Sequence, residues 1–214
     1  MKYKHIAVEG NIGAGKTTLT KFLSSILDAS TLLEEFEENK FLKAFYNTGE
    51  FAFQSEVQFL LDRSKQLNEF YNKNHSLIIS DYYVNKSLIF SKINLNEYEF
   101  QLLKNLHGHL FGVLPPPDLL IFLDRSLDVL FANIMRRNRP YEKNLDLNYL
   151  KKLDHYYENW LEGLDIPIIR IDAETIDFNR PEYLTKKFKQ LLNLDFPSTP
   201  VSYTHLTLPT NHPV

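Results

Sequence analysis

Three of the chain's seven glycines fall within eight residues, Gly10-Asn11-Ile12-Gly13-Ala14-Gly15-Lys16-Thr17, a string that fits G-x-x-x-x-G-K-[ST]. It stands between a short apolar run, Ile6-Ala7-Val8, and a helical pattern over residues 17–27. Strand, glycine-rich turn and helix in that order are the context that gives the motif meaning. The glycines let the backbone wrap so that successive N–H groups point inward at phosphate oxygens. Lys16 adds a point charge near the β- and γ-phosphates, and Thr17 offers a hydroxyl to Mg²⁺. Gly10 through Thr18 are therefore the candidate cradle for the phosphates of ATP.

The remaining apolar runs supply a sheet. Short buried strands are predicted at 5–8, 31–33, 77–80, 119–123 and 166–171. Between them lie stretches with apolar residues at i, i+3 and i+4, such as 59–70 and 147–161. Five strands alternating with helices imply right-handed crossovers and an α/β fold, a five-stranded, mostly parallel sheet covered by helices on both faces. Pro115-Pro116-Pro117 stops one helix and leads into the fourth strand. A length of 214 residues suits one such domain.

Composition narrows the partners. With 24 Lys+Arg against 27 Asp+Glu, the chain has no broad field for gripping a nucleic-acid backbone. The lack of cysteine excludes disulfide scaffolds, thiolate zinc sites and thiol nucleophiles. The first apolar run is too short for a signal peptide, and no stretch reaches the roughly 18–20 apolar residues of a bilayer span, so a cytoplasmic location is expected. His107 and His109 flank Gly108 without a third ligand nearby in sequence, and no metal site is expected there.

Residues 1–196 carry this pattern as one domain. From Pro197 to Val214 no residue is charged, and four of the ten prolines gather there. The string from Val201 to Thr210 resembles translated sequencing adaptor. Residues 197–214 are expected to be a non-native or disordered tail outside the functional argument.

A phosphate cradle alone does not name the acceptor. A GTPase needs N-K-x-D and D-x-x-G, and neither occurs; small-molecule kinases are the leading class. Residues 10–18, 34–46, 51–67, 81–90, 136–142 and 149–160, in this order and spacing, together resemble the deoxynucleoside kinase family, especially its bacterial deoxyguanosine and deoxyadenosine kinase branch. The resemblance runs from about Lys4 to Leu194. It implies a P-loop kinase fold with an arginine-bearing lid, transfer of the γ-phosphoryl of ATP to a deoxynucleoside 5′-hydroxyl with Mg²⁺, and a homodimer.

The resemblance also implies roles. Glu34 follows the second strand, where the family carries a catalytic carboxylate that can accept the 5′-hydroxyl proton. Open parallel sheets bind ligands beyond their strand carboxyl ends, which agrees with that placement. Two positions depart from the family: Glu35 lacks the proline of some relatives, and Lys40 stands where relatives often have proline. Tyr46 matches the tyrosine that hydrogen-bonds the sugar 3′-hydroxyl. Asp81, after the third strand, is the carboxylate expected to organise Mg²⁺ through water. Tyr82 stands where many relatives have arginine, yet Asp81-Tyr82 with Lys86 resembles the bacterial deoxyguanosine kinases. Asp124-Arg125-Ser126 lies in the wrong crossover for that motif and is taken as a helix N-terminus capped by Ser126 or Asp124. Arg137 and Arg139 match two lid arginines, which with Lys16 stabilise charge on the transferring phosphoryl group. Asn133 replaces the first lid arginine, with Arg136 the candidate stand-in, and Glu142 matches the lid carboxylate at the 3′-hydroxyl.

Two registers compete for the base. Phe53-Gln54-Ser55 resembles a string of the animal enzymes and would make Gln54 the reader; counting from Phe51 or back from Arg63 selects Glu56. At about 100° per residue, Glu56 and Arg63 lie within about 20° of one helix face, whereas Gln54 and Arg63 are about 180° opposed. Glu56 with Arg63 is the choice. A carboxylate only accepts, and guanine presents N1–H and N2–H₂ side by side; arginine only donates, and guanine offers O6 and N7. Adenine would set an unprotonated N1 against the carboxylate. The expected substrate is a purine deoxynucleoside, deoxyguanosine first, with deoxyinosine a plausible second substrate and a deoxyadenosine or broad-specificity kinase the alternative. An alternative of another class is a non-enzymatic nucleotide-binding regulator, whose signature would be a missing base or lid arginine.

Overall fold

The computed structural model describes residues 2–35, 39–142, 144–194, 196 and 201–203. In chain order these form β1 (His5–Gly10), α1 (Lys16–Leu27), β2 (Ser30–Leu32), α2 (Leu42–Thr48), α3 (Ala52–Tyr71), β3 (Ile78–Ser80), α4 (Lys86–Asn94) and α5 (Glu97–Phe111). There follow β4 (Leu119–Asp124), α6 (Leu127–Arg137), a 3₁₀ turn at Pro140–Glu142, α7 (Leu147–Glu162), β5 (Ile168–Asp172), a 3₁₀ turn at Ala173–Thr175, α8 (Pro181–Leu192) and β6 (Val201–Tyr203). The strand order is β2-β3-β1-β4-β5-β6, and every pair is parallel. From β1 the chain runs to one side into β2 and β3, then crosses to the other side at β4. The carboxyl end of β1 is thus the point of reversal, where open α/β sheets form their ligand crevice.

Period-two alternation sends successive residues of the central strands to opposite faces. Ile6, Val8, Leu119, Ile121 and Leu123 join Leu19 and Leu23 of α1 and Leu184 and Phe188 of α8. Ala7, Leu120 and Phe122 join Ile89 of α4 and Leu153, Tyr157 and Leu161 of α7. Leu60, Leu67, Ile78, Leu103 and Phe111 close a third cluster under α3 and α5. Both faces of β1 are covered, so all six of its residues are buried, including the polar His5 and Glu9 on one face. Among the described residues, no helix is long and apolar enough to cross a membrane.

All five expected strands are present, with helices on both faces. Two local details differ from the expectations. The helix expected over 59–70 starts at Ala52, because Ser55 and Glu56 are polar side chains buried on its inner face and break the apolar period. Ser126 is the N-cap residue of α6, but its Oγ donates to Glu174 Oε1 at 2.7 Å instead of capping the helix, and Asp124 is engaged by Arg170 at 2.9 Å.

A sixth strand, β6, lies beside β5 and comes from the segment set aside as a tail; residues 197–200 and 204–214 lie outside the described residues. We propose that the domain ends at 196. Truncation after Phe196 is expected to move the thermal midpoint by no more than about 4 °C, the shift that about 1 kcal/mol produces in a domain of this size. Circular dichroism melting of both chains checks this, and loss of cooperative melting would place the tail inside the domain.

Candidate active site

The turn after β1 is forced by its glycines. Gly10 and Gly13 have φ of 149° and 86°, and a Cβ on either would lie 2.7 Å from a carbonyl oxygen, that of Leu123 or of Leu130. Backbone and space both require glycine there. Gly15 is the N-cap of α1, so that helix opens onto the loop. Asn11 anchors it from below, donating from Nδ2 to Leu150 O at 2.9 Å and accepting from the Ile12 N–H at 2.8 Å. Asn133 of α6 holds it from above, donating to Gly13 O at 2.9 Å. Lys16 Nζ curls over the turn, donating to Gly10 O at 2.7 Å and Asn11 O at 3.0 Å. Burial, with Lys86 nearby, lowers the Lys16 pKa to about 8.

A cavity of about 800 Å³ opens above the loop. Ile12, Gly13, Ala14, Gly15, Lys16, Thr17 and Thr18 border it, as do Glu34, Tyr46, Glu56, Arg63, Asp81, Arg137, Arg139 and Glu142. Of the residues expected at the site, Gly10 and Asn11 stand beneath the loop and the others share this cavity.

Its floor carries two carboxylates in different surroundings. Asp81 accepts from Thr17 Oγ1 at 2.6 Å and from the Glu34 N–H at 2.7 Å, which ties the cradle to the chain after β2. The hydroxyl and carboxylate oxygens brought together at Thr17 and Asp81 are the hard donors Mg²⁺ prefers. Glu34 has only 14% of its side chain exposed and carries one cation on each oxygen, the Arg63 guanidinium on Oε1 and the Lys86 ammonium on Oε2. Burial pushes its pKa up, but Lys86 and Arg63 outweigh burial and hold it well below the usual carboxylate range.

At the far end Glu56 and Arg63 lie buried on the inner face of α3, while Gln54 is exposed. Their contacts are divided. Glu56 accepts from Asn94 Nδ2 at 2.8 Å and from Ser91 Oγ at 3.2 Å, and burial raises its pKa. Arg63 donates to Glu34 and to Ser87 Oγ, and among the described residues its Nε has no hydrogen-bond partner. Phe45, Phe59 and Phe90 supply aromatic walls. Tyr46 borders the cavity as well; burial, with Tyr149 and Glu56 nearby, raises its pKa well above that of a free phenol.

The lid follows α6. Asn138 takes a left-handed conformation (φ 49°) and turns the chain back over the cavity. Arg137 grips the buried Glu142 through Nε and a terminal nitrogen, both at 2.5 Å, and Arg139 approaches the same carboxylate at 3.5 Å. Arg136 borders the cavity and donates to Asn133 Oδ1 at 3.0 Å.

Several polar groups escaped sequence reasoning. The sequence shows Lys86 as part of the Asp81-Tyr82 motif, but not as a partner of Glu34. Asn94, fixed by the Tyr149 hydroxyl on its Oδ1 at 3.0 Å, supports Glu56. Glu9, in β1, is wholly buried and accepts from the Tyr83 N–H at 2.8 Å and the Tyr157 hydroxyl at 3.1 Å. A carboxyl group directly after the apolar run Ile6-Ala7-Val8 was the available signal for it. Arg125 also borders the cavity and donates to Ala173 O at 2.5 Å.

Known proteins similar to this chain share one family. The deoxynucleoside kinase family model matches residues 6–193. Deoxyguanosine kinase of Bacillus subtilis is 35% identical over 182 residues, covering 81% of this chain and 88% of that one. Deoxyadenosine kinase of Dictyostelium discoideum is 32% identical over 194 residues, covering 86% and 78%. The solved structure of deoxyadenosine kinase from M. mycoides with bound dATP has a TM-score of 0.75 at 25% identity, covering 87% of this chain and 99% of that one. One continuous match thus runs from the first strand through the lid to the last helix, and on it the chain belongs to the deoxynucleoside kinase family of ATP-dependent phosphotransferases.

Proposed function

We propose that the chain is a deoxyguanosine kinase, a cytoplasmic homodimer that moves the γ-phosphoryl group of ATP to the 5′-hydroxyl of deoxyguanosine with Mg²⁺. The observation that carries this reading is an acceptor-only carboxylate, Glu56, and a donor-only guanidinium, Arg63, buried on one helix face at the end of one cavity.

The roles follow from chemistry. The N–H groups of the loop and Lys16 receive the phosphates of ATP, and the cavity beyond them, bordered by Arg125, Ile176 and Phe178, receives its adenine. Thr17 and Asp81 would hold Mg²⁺, which would supply positive charge to the phosphates of ATP. Glu56 accepts N1–H and N2–H₂ of guanine, and Arg63 gives up Glu34 to donate to O6 and N7. Tyr46 and Glu142 hold the sugar 3′-hydroxyl. Glu34 orients the 5′-hydroxyl and takes its proton, while Arg137 and Arg139 turn from Glu142 to the transferring group.

A second reading is favoured by one observation. Burial raises the pKa of Glu56, and a protonated Glu56 offers one donor and one acceptor, the complement of adenine N1 and N6–H₂. Deoxyadenosine is therefore the competing substrate. Steady-state kcat/KM for deoxyguanosine, deoxyadenosine, deoxyinosine and deoxycytidine with Mg·ATP tests the proposal. Deoxyguanosine is expected to lead deoxyadenosine by about tenfold or more, the consequence of a mismatched buried carboxylate at about 1–3 kcal/mol. Equal rates would overturn the base assignment, and no turnover of any nucleoside would favour a nucleotide-binding regulator.

A further inference from the structure

The two cations on Glu34 have different obligations. Arg63 bridges Glu34 and Ser87 and is also the group assigned to guanine O6 and N7. A fork that reaches the base has to release the carboxylate. Lys86 carries no such second duty. Its side chain is 8% exposed, its Nζ lies 2.5 Å from Glu34 Oε2, and the Phe90 ring flanks it at 5.4 Å. It begins α4 and borders the cavity. Tyr82, which stands where many relatives carry arginine, does not compete for this place: it is 1% exposed, and its hydroxyl donates to Gln66 Oε1 at 2.7 Å. The second positive charge beside Glu34, after that of Arg63, comes from Lys86, four residues beyond Tyr82.

We propose that Lys86 is a positioning residue for phosphoryl transfer, holding the Glu34 carboxylate aimed at the 5′-hydroxyl while Arg63 reads the base. The inference rests on the kinase reading of this site. The transition state for phosphoryl transfer is loose, so the base contributes more by orienting the nucleophile than by its strength. The charged groups that face Glu34 are Arg63 and Glu56 from α3, Lys86 from α4, Lys16 from α1, Glu9 from β1 and Asp81 after β3, with the phenols of Tyr46, Tyr82 and Tyr157 nearby. Once Arg63 turns to the base, Lys86 is the cation left in hydrogen-bond contact with the Glu34 carboxylate, and without it the carboxylate loses its aim at the 5′-hydroxyl.

The test compares wild type, Lys86→Met and Lys86→Arg as full chains, with kcat and KM for deoxyguanosine measured at saturating Mg·ATP and one pH. Lys86→Met is expected to lose about 10- to 100-fold in kcat, as misplacement of a reacting group does. Its KM should change by less than about threefold. Lys86→Arg, which keeps the charge, is expected to recover kcat. Wild-type kcat in Lys86→Met, a loss carried by KM alone, or no recovery in Lys86→Arg would each overturn the proposal. Circular dichroism confirms folding, and Lys86→Gln gives the same readouts if the methionine variant melts below the assay temperature. A wild type that phosphorylates no deoxynucleoside defeats the kinase reading first, and that failure is visible without any variant.

Discussion

Glu34→Gln is expected to lower kcat by about 10²–10⁴-fold, the usual contribution of a positioned general base. The amide keeps the shape of the carboxylate but takes no proton from the 5′-hydroxyl. KM should move far less, because the proposed binding mode holds the substrate chiefly at the base and at the 3′-hydroxyl. Stability should fall as well. The substitution leaves Arg63 and Lys86 facing a neutral group in a largely buried place, and breaking a buried ion pair from one side costs about 3–5 kcal/mol. The folded-state pKa of Glu34 is depressed below its ordinary 4.5, so its stabilising contribution is present above that value and is lost as pH falls further. The decisive measurement is kcat well below the variant's melting midpoint, with folded fraction checked by circular dichroism. Retention of wild-type kcat would remove Glu34 from the chemistry.

Glu56→Gln should redirect the base site. Asn94 donates to Oε1, and its own carbonyl is held by Tyr149, so the glutamine oxygen is expected to stay toward Asn94. The glutamine NH₂ then turns toward Ser91, whose hydroxyl can accept as well as donate. The side chain presents one acceptor and one donor, which pairs with N6–H₂ and N1 of adenine and leaves guanine N1–H or N2–H₂ facing a donor. Each mismatch is worth about 1–3 kcal/mol, so the deoxyguanosine to deoxyadenosine ratio should fall by about 10- to 100-fold. Because the amide does not ionise, the ratio in the variant should also lose any pH dependence that Glu56 gives the wild type.

The fold was legible where local pattern and global arrangement coincide. The apolar runs at 5–8 and 119–123 became the two central strands because both faces of each are covered, and helical period alone separated Glu56 from Gln54. The cradle was legible because its glycines are required by backbone angle and by contact with Leu123 and Leu130. What escaped depends on contacts that no local pattern encodes. Lys86 meets Glu34 across 52 residues, between a loop and a helix start. Asn94 supports Glu56 across 38. The division of Arg63 between Glu34 and Ser87 is a matter of side-chain direction, which spacing does not determine. The lid arginines were placed by resemblance, but their shared grip on Glu142 became visible only once α6 and the turn after it were folded together.

The specificity ratio tests the central claim most directly. It requires kcat/KM for deoxyguanosine and for deoxyadenosine, measured side by side in wild type and Glu56→Gln at one pH and one Mg·ATP concentration. The account expects wild type to favour deoxyguanosine by about tenfold or more and the variant to lose that preference or reverse it. A wild type indifferent to the two purines, or a variant with the wild-type ratio, would contradict it.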